Sequence, residues 1–281
     1  MTDLFRALKI EKENDKQTVN LVEISENELM EGNVVVDVTH STLNYKDGLA
    51  MTGSSPIVRS FPMIPGIDFS GNVRSSEDPN FSHGDRVVLN GFGLSESHFG
   101  GYSERARVNS EHLIKLPENI SNRQAMEIGT AGYTAMLCVL GLEDSNIKPG
   151  DGDILVTGAS GGVGSVAISL LSTLGYSVIA STGRLSEAEY LKELGANSLI
   201  DRGELSEASR PLGKERWIGA IDSVMAPMDK RLKAWQRLSK DLDMEKLGKM
   251  VIETTLDEII NFGQSIIDGQ VRGRVVVNIS E

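Results

Sequence analysis

The stretch Asp153-Ile154-Leu155-Val156-Thr157-Gly158-Ala159-Ser160-Gly161-Gly162-Val163-Gly164 decides the fold. Its first five residues are a short apolar run of strand character. The glycines follow at once. Beyond them Val163, Val166, Ala167, Leu170, Leu171 and Leu174 recur at helical spacing on one face. Strand, glycine-rich turn and helix in succession fit the dinucleotide fingerprint G-x-G-x-x-G, with Ala159 in place of the first glycine. In such a turn Gly161 lets the backbone approach a pyrophosphate, and Gly164 lets the helix pack closely on the sheet. The helix start offers unpaired N–H groups and the positive end of its dipole. Ser160, Gly161, Gly162, Val163 and Gly164 are therefore candidate cofactor-binding residues.

Working outward, Ser177-Val178-Ile179-Ala180-Ser181 reads as a second strand. A helix with Tyr190, Leu191 and Leu194 follows, closed by Gly195, and then a third strand, Ser198-Leu199-Ile200-Asp201. The order βαβαβ predicts a parallel, doubly wound α/β sheet. The end of the second strand selects the dinucleotide. An NAD site places an Asp or Glu there, about twenty residues past the fingerprint, on the ribose 2′-OH. This chain has Ser181-Thr182-Gly183-Arg184 instead. Two hydroxyls and a guanidinium suit a 2′-phosphate, so the expected cofactor is NADPH. A solvated charge beside a helix start is the other reading of Arg184. Further on, Ile218 to Val224 reads as a fourth strand, and Pro227 opens a helix with Leu232, Trp235 and Leu238 on one face. A helix over 256–267 and a strand from Arg274 to Ile279 complete the chain.

The first part has a different texture. Val19 to Val22, Val34 to Val38 and Arg86 to Leu89 are short β-branched runs punctuated by Gly and Pro, which predicts a compact β-rich domain. From about Ser121 the chain turns helical over 124–140, interrupted by Gly129-Thr130-Ala131-Gly132. With 281 residues the chain has room for two domains. These are expected at 1–122 with 250–281 and at 123–249. The net charge of −12 disfavours nucleic acid as a partner. One cysteine excludes an internal disulfide framework and a Cys-rich zinc lobe. No uninterrupted apolar run has the length of a membrane span, and residues 1–6 lack the pattern of a signal peptide. The expectation is a cytoplasmic protein without nucleic-acid or membrane partners.

Several segments together resemble one family. They are Leu43-Asn44-Tyr45-Lys46-Asp47, Pro65-Gly66-Ile67-Asp68-Phe69-Ser70-Gly71, Gly84-Asp85-Arg86-Val87 and His98-Phe99-Gly100-Gly101-Tyr102-Ser103-Glu104. The turn at 129–132, the fingerprint, residues 181–184 and Gly269-Gln270-Val271-Arg272-Gly273-Arg274 continue the pattern. Over nearly its whole length the chain resembles the zinc-independent medium-chain dehydrogenase/reductases, in the quinone-oxidoreductase-like branch that includes acryloyl-CoA reductases. The resemblance implies a GroES-like catalytic domain beside a Rossmann cofactor domain, and a homodimer. It implies hydride transfer from NADPH to the C=C bond of acryloyl-CoA or a similar short enoyl-CoA. A general quinone or enone reductase is the alternative. Catalytic zinc in this superfamily is held by a Cys in the segment matching Asn44 and a His in the segment matching Gly66-Ile67-Asp68, and neither residue type stands here. His40, His83, His98 and His112 show no ligand spacing.

Enone reduction needs donors on the carbonyl oxygen and a proton for the α-carbon. By resemblance Asn44-Tyr45-Lys46-Asp47 lines the cleft facing the nicotinamide. Asn44 and Tyr45 are expected to position or protonate, and Lys46 and Asp47 to pair locally, unless these two are ordinary loop charges. Tyr45 and Thr130 match positions at the cofactor, and Arg272 and Arg274 match a region near the substrate, where a cation meets a CoA phosphate. The alternative for these arginines is a charged start to the last strand. One departure stands out. A complete sheet of this type has six strands in order 3-2-1-4-5-6. Here the string resembling strand four, Gly219-Ala220-Ile221-Asp222, runs straight into one resembling strand six, Ser223-Val224-Met225-Ala226-Pro227. Two strands' worth of chain, roughly forty to fifty residues, is missing. Either the chain as given omits residues that the protein possesses, or it carries a deletion joined at the repeated string; a true deletion implies a catalytically impaired cofactor-binding protein.

Overall fold

The computed structural model describes residues 3–205, the backbone of 219–221, and 227–280. In chain order the elements begin with β1 (Leu4–Glu13), β2 (Lys16–Ser25), β3 (Val34–Leu43), α1 (Tyr45–Thr52) and β4 (Asp68–Ser76). Next come β5 (Arg86–Asn90), β6 (Arg105–Val108), β7 (Ile114–Lys115) and α2 (Asn122–Asp144). The α/β portion holds β8 (Asp153–Val156), α3 (Gly162–Thr173), β9 (Ser177–Thr182), α4 (Ala188–Leu194), β10 (Ser198–Asp201) and β11 (Gly219–Ile221). It ends with α5 (Met228–Asp241) and α6 (Met244–Gly248), and the chain finishes with β12 (Val251–Thr255), α7 (Ile259–Ile267) and β13 (Arg274–Asn278). The residues fall into two compact units, Met1–Thr130 with Val251–Glu281, and Ala131–Met250.

The first unit is built round β3. Its apolar run is buried almost continuously, the pattern of a strand covered on both faces. β4 and β6 pair with it antiparallel, and β13 joins it with Val275 opposite Leu43. The sheet runs β12-β13-β3-β4-β5-β7, and β1 and β2 form a separate hairpin. That hairpin turns through Asn14 and Asp15, both at left-handed φ (48° and 62°), the conformation a two-residue turn requires. Val36, Phe69, Leu89 and Val277 are fully buried in the core, each contributing about 1.5–3 kcal/mol. α1 follows β3 directly and ends at Gly53, whose φ of 69° stops a helix. α7 packs tightly on α1 at Gly48, where a Cβ would lie 2.5 Å from Ile266 Cγ2.

The second unit is a parallel sheet in the order β10-β9-β8-β11, which is the 3-2-1-4 half of the doubly wound pattern. Among the described residues no strand continues it beyond β11. Of the expected strand from Ile218 to Val224, residues 219–221 form β11 and the others lie outside the described residues, as does the junction through Met225 and Ala226. α3 and α4 fall where the periodicity places them, and Gly195 closes α4 with φ 117°. α5 lies along the C-terminal part of α2. Arg237 donates to both carboxylate oxygens of Glu143 (2.8 and 3.0 Å), and Arg231 stands 5.2 Å over the Tyr133 ring. Its buried stripe is Ala234, Trp235 and Leu238, whereas Leu232, expected on that face, is 44% exposed at the stripe's margin. α2 is long and apolar enough to cross a membrane by length and composition, but most of its apolar window is buried in the protein.

Candidate active site

At the strand ends of the second unit, the fingerprint turn has the geometry its sequence predicts. Gly158 sits at φ 57° and Gly161 caps α3. A Cβ on Gly164 would lie 2.5 Å from the Gly158 carbonyl oxygen and 2.7 Å from Ala159 Cα, so only glycine lets the helix meet the turn. The first N–H groups of α3 have no partner within the helix. Ser160 Oγ and Thr182 Oγ1 share a hydrogen bond of 2.8 Å across the turn, and Arg184 N donates to Thr182 Oγ1 at 3.0 Å. Ser181 Oγ is buried without any hydrogen-bond partner, an atom that a ligand would satisfy. Arg202 lies over Gly183, where a Cβ would come within 3.2 Å of its Cζ and Nη2. Asp201 stands beside Thr182 in register, but its carboxylate is turned into its own loop, accepting from Gly203 N at 2.7 Å. These groups fit a dinucleotide carrying a 2′-phosphate. Arg202 was legible as a basic residue directly after the third strand, yet nothing in the sequence brings it over Gly183.

In the first unit, the four residues of the Asn44-Asp47 loop have different fates. Asn44 caps α1. Its amide group donates to Thr42 Oγ1 (2.8 Å) and Asp47 Oδ2 (3.2 Å), so its donors are engaged within the protein. Asp47 is fully buried and accepts from Asn44 N (2.8 Å) and Ile67 N (2.9 Å). Burial, with the charge of Asp68 adding to it, pushes the Asp47 carboxyl up to about 7. Lys46 does not pair with Asp47. Consecutive helical residues point to different sides, and Lys46 Nζ meets Glu96 instead. Tyr45 is 55% exposed and presents its ring and hydroxyl to solvent.

Behind the loop lies a buried cluster around a break in α2. Gly129 has φ 53° and ψ −164°, which interrupts the helix. Asp68 Oδ2 accepts from both Thr130 N (2.7 Å) and Thr130 Oγ1 (2.6 Å), so this carboxylate caps the new helix start. Its other oxygen accepts from Thr42 Oγ1 at 2.6 Å. On the other side of the break Arg274 Nε donates to the Glu127 carbonyl at 3.1 Å. Anion at the helix start and cation at the helix end both match the dipole. Arg274 is 2% exposed. Burial pushes its guanidinium down from the ordinary range, against the pull of Asp68 and Asp47. The resemblance places Arg274 at the substrate, but here it is a buried charge on the α2 break, while Arg272 is exposed. Thr130 donates to Asp68 and accepts from Asn90 Nδ2 at 3.3 Å.

The histidines occupy separate sites: His83 and His98 bond backbone carbonyls, His112 stacks on Phe92 at 4.2 Å, and His40 Nδ1 is buried without a partner. Among the described residues no three His, Cys, Asp or Glu side chains converge as a metal site.

Comparison with known proteins agrees with the architecture. Residues 30–118 match the alcohol dehydrogenase GroES-like domain. The "Probable acrylyl-CoA reductase AcuI" of Escherichia coli is 44% identical over 325 positions, covering 98% of this chain and 100% of that protein. Since the chain has 281 residues, at least 44 of those 325 positions have no residue here. Among solved structures, the yhdH oxidoreductase of Salmonella enterica in complex with NADP superposes with a TM-score of 0.94 at 44% identity, over 98% of this chain and 100% of that one. The yhfP protein of Bacillus subtilis with NAD bound gives 0.93 at 37% identity, over 99% and 100%. Likeness of this extent, carried through both units, establishes that the chain belongs to the medium-chain dehydrogenase/reductase superfamily, in the quinone-oxidoreductase-like branch that holds the acrylyl-CoA reductases.

Proposed function

We propose that this chain is an NADPH-dependent reductase of the C=C bond of short enoyl-CoA thioesters such as acryloyl-CoA, giving propionyl-CoA without a catalytic metal. The supporting observation is the division of labour over 44–47: Asn44, Lys46 and Asp47 are all bonded within the protein, and Tyr45 alone holds out an uncommitted hydroxyl. NADPH, when bound, would supply hydride for the β-carbon. Tyr45 then serves as hydrogen-bond donor to the thioester oxygen or as proton source for the α-carbon. Asn44, Asp47 and Lys46 hold it in place as positioning residues. For the cofactor, Gly161, Gly162, Val163 and Gly164 receive the pyrophosphate. Ser160, Ser181, Thr182, Arg184 and Arg202 receive the 2′-phosphate side, with no free carboxylate at the end of β9 to repel it. Thr130 donates its proton to Asp68 and accepts from Asn90, so its hydroxyl is engaged within the first unit. A thioester needs no metal here, because its conjugated carbonyl takes up the charge, and the segments that carry zinc ligands elsewhere in the superfamily have none.

Stopped-flow oxidation of NADPH tests this reading, with acryloyl-CoA set against a simple quinone. Faster turnover of the thioester, lowered about 100-fold by Tyr45→Phe, is the expected result. Equal rates on both substrates, or an unchanged Tyr45→Phe enzyme, overturn it. The shortfall of at least 44 aligned positions favours a second reading, a chain that binds NADPH but turns over slowly. Tight binding without oxidation on either substrate is its signature.

A further inference from the structure

Burial of Arg274 leaves the phosphates of an acyl-CoA only Arg272 of the two cations that the family resemblance offers them. This matters on a chain of net charge −12, whose overall field repels a polyanion. An alternative lies beside the catalytic loop, within the first unit. Glu96 is shared by two cations, Lys46 from α1 and Arg59 at 3.5 Å from the extended segment after it. Among the described residues no other carboxylate pairs with either. One positive charge is therefore left over. Arg59 is 74% exposed and Lys46 40%, whereas Glu96 is only 22% exposed, so the cations face outward and the anion lies beneath them.

The patch is held rather than loose. Arg59 N donates to the Glu96 carbonyl at 2.8 Å, and Ile57 and Val58 pack on the small core of Ile10, Ala50 and Met63. Ala50 belongs to α1, so the segment bearing Arg59 runs beside the helix whose first residue is Tyr45. Two residues beyond Arg59 the ring of Phe61 is 38% exposed, a face on which a base can stack. A guanidinium, an ammonium and an exposed ring are the groups that recognise a phosphorylated adenosine.

We propose that Arg59 and Lys46, with the ring of Phe61, form the subsite for the phosphorylated adenosine end of the acyl-CoA substrate. The proposal rests on the acyl-CoA reading above and supplies its carrier-binding half. Phosphorylated adenosine also occurs in NADPH, but with the phosphate on the 2′ rather than the 3′ oxygen, so fragments tell the two apart.

Calorimetric titration of the full chain with 3′,5′-ADP, the CoA fragment, and 2′,5′-ADP, the NADPH fragment, is the test. Arg59→Ser is expected to weaken 3′,5′-ADP about tenfold and leave 2′,5′-ADP within about twofold. Glu96→Gln removes the shared anion and is expected to tighten 3′,5′-ADP about threefold at low salt, an effect that fades as salt rises. A merely structural role for the ion pair predicts the opposite sign for Glu96→Gln, so weakening by both variants overturns the subsite. So does an unchanged Arg59→Ser, or a loss that follows Arg272→Ser instead. A wild-type chain that binds 2′,5′-ADP but not 3′,5′-ADP also overturns it while sparing the cofactor reading. Binding of 3′,5′-ADP through Arg59 without NADPH oxidation by acryloyl-CoA supports the subsite and removes the reductase reading.

Discussion

The first unit buries a cluster of hydroxyl and charged side chains, whereas at the end of β9 buried hydroxyls stand beside an exposed arginine, Arg202. Around the α2 break, Asp68 accepts three hydrogen bonds, Asp47 accepts from two backbone amides, and both amide donors of Asn44 are used. Apart from Arg274 Nη2, that cluster satisfies itself. At the end of β9 the groups are left unfinished: Ser181 Oγ has no partner, and Arg202 lies flat over a glycine. Satisfied polar clusters hold a backbone in place; unsatisfied ones are completed by a ligand. The contrast is between these two clusters, and it is drawn without reference to any relative.

The contrast can be broken most severely at Asp68. Asp68→Ala leaves Thr42, the Thr130 amide and the Thr130 hydroxyl without an acceptor and removes an anion facing Arg274. Urea unfolding is expected to show a loss of about 3–5 kcal/mol. A loss below about 1 kcal/mol would mean that water closes the cluster equally well.

Asp47 comes next. Its carboxyl titrates at about 7 in the folded chain, above the ordinary 3.8, because burial disfavours the charge. The folded state therefore holds a proton that the unfolded state has released. This contribution to stability is fully present below about pH 4, declines as pH rises to about 7, and then levels off. The whole span is up to about 4 kcal/mol. Asp47→Asn should remove that slope from unfolding midpoints measured between pH 4 and 8, and identical slopes in both proteins would refute the assignment.

On the unfinished side, Gly164→Ala forces a methyl against the Gly158 carbonyl. It is expected to cost about 1–3 kcal/mol in the turn and weaken NADPH about 10–100-fold in a fluorescence titration. The smallest effect is expected from Arg202→Ser, about tenfold weaker NADPH with NADH unchanged within twofold. Equal loss for both dinucleotides would move Arg202 off the 2′-phosphate.

Local order was readable from residues alone. The helix after the fingerprint, the αL stop at Gly195 and the turn at 158–164 all depend on neighbours a few positions away and formed where their spacing predicts, although α3 is buried all round from Gly164 to Leu171 rather than on one apolar face. The expected Lys46–Asp47 pair fails for a local reason, since adjacent helical residues diverge. The partners of Asp68 and Arg274 were not readable. Thr130 lies 62 residues from Asp68, and Glu127 lies 147 from Arg274, so only the assembled sheet brings them together. Arg274 does carry a retrospective signal: it begins a run of valines buried on both faces, where a charge is either paired or bonded to the backbone.

β13 docks on β3 across more than two hundred residues of sequence, with Val275 opposite Leu43. During synthesis the second unit emerges complete before that strand exists. Until then β3 waits with its edge over His40 to Leu43 unpaired, a template for any passing strand. The contacts of the second unit are local and can form early, while those of the first must close a very long loop and form last. The chain's exposure to aggregation is thus set in the β-rich unit, and a ribosome stalled just short of residue 274 would hold the molecule in its most vulnerable state.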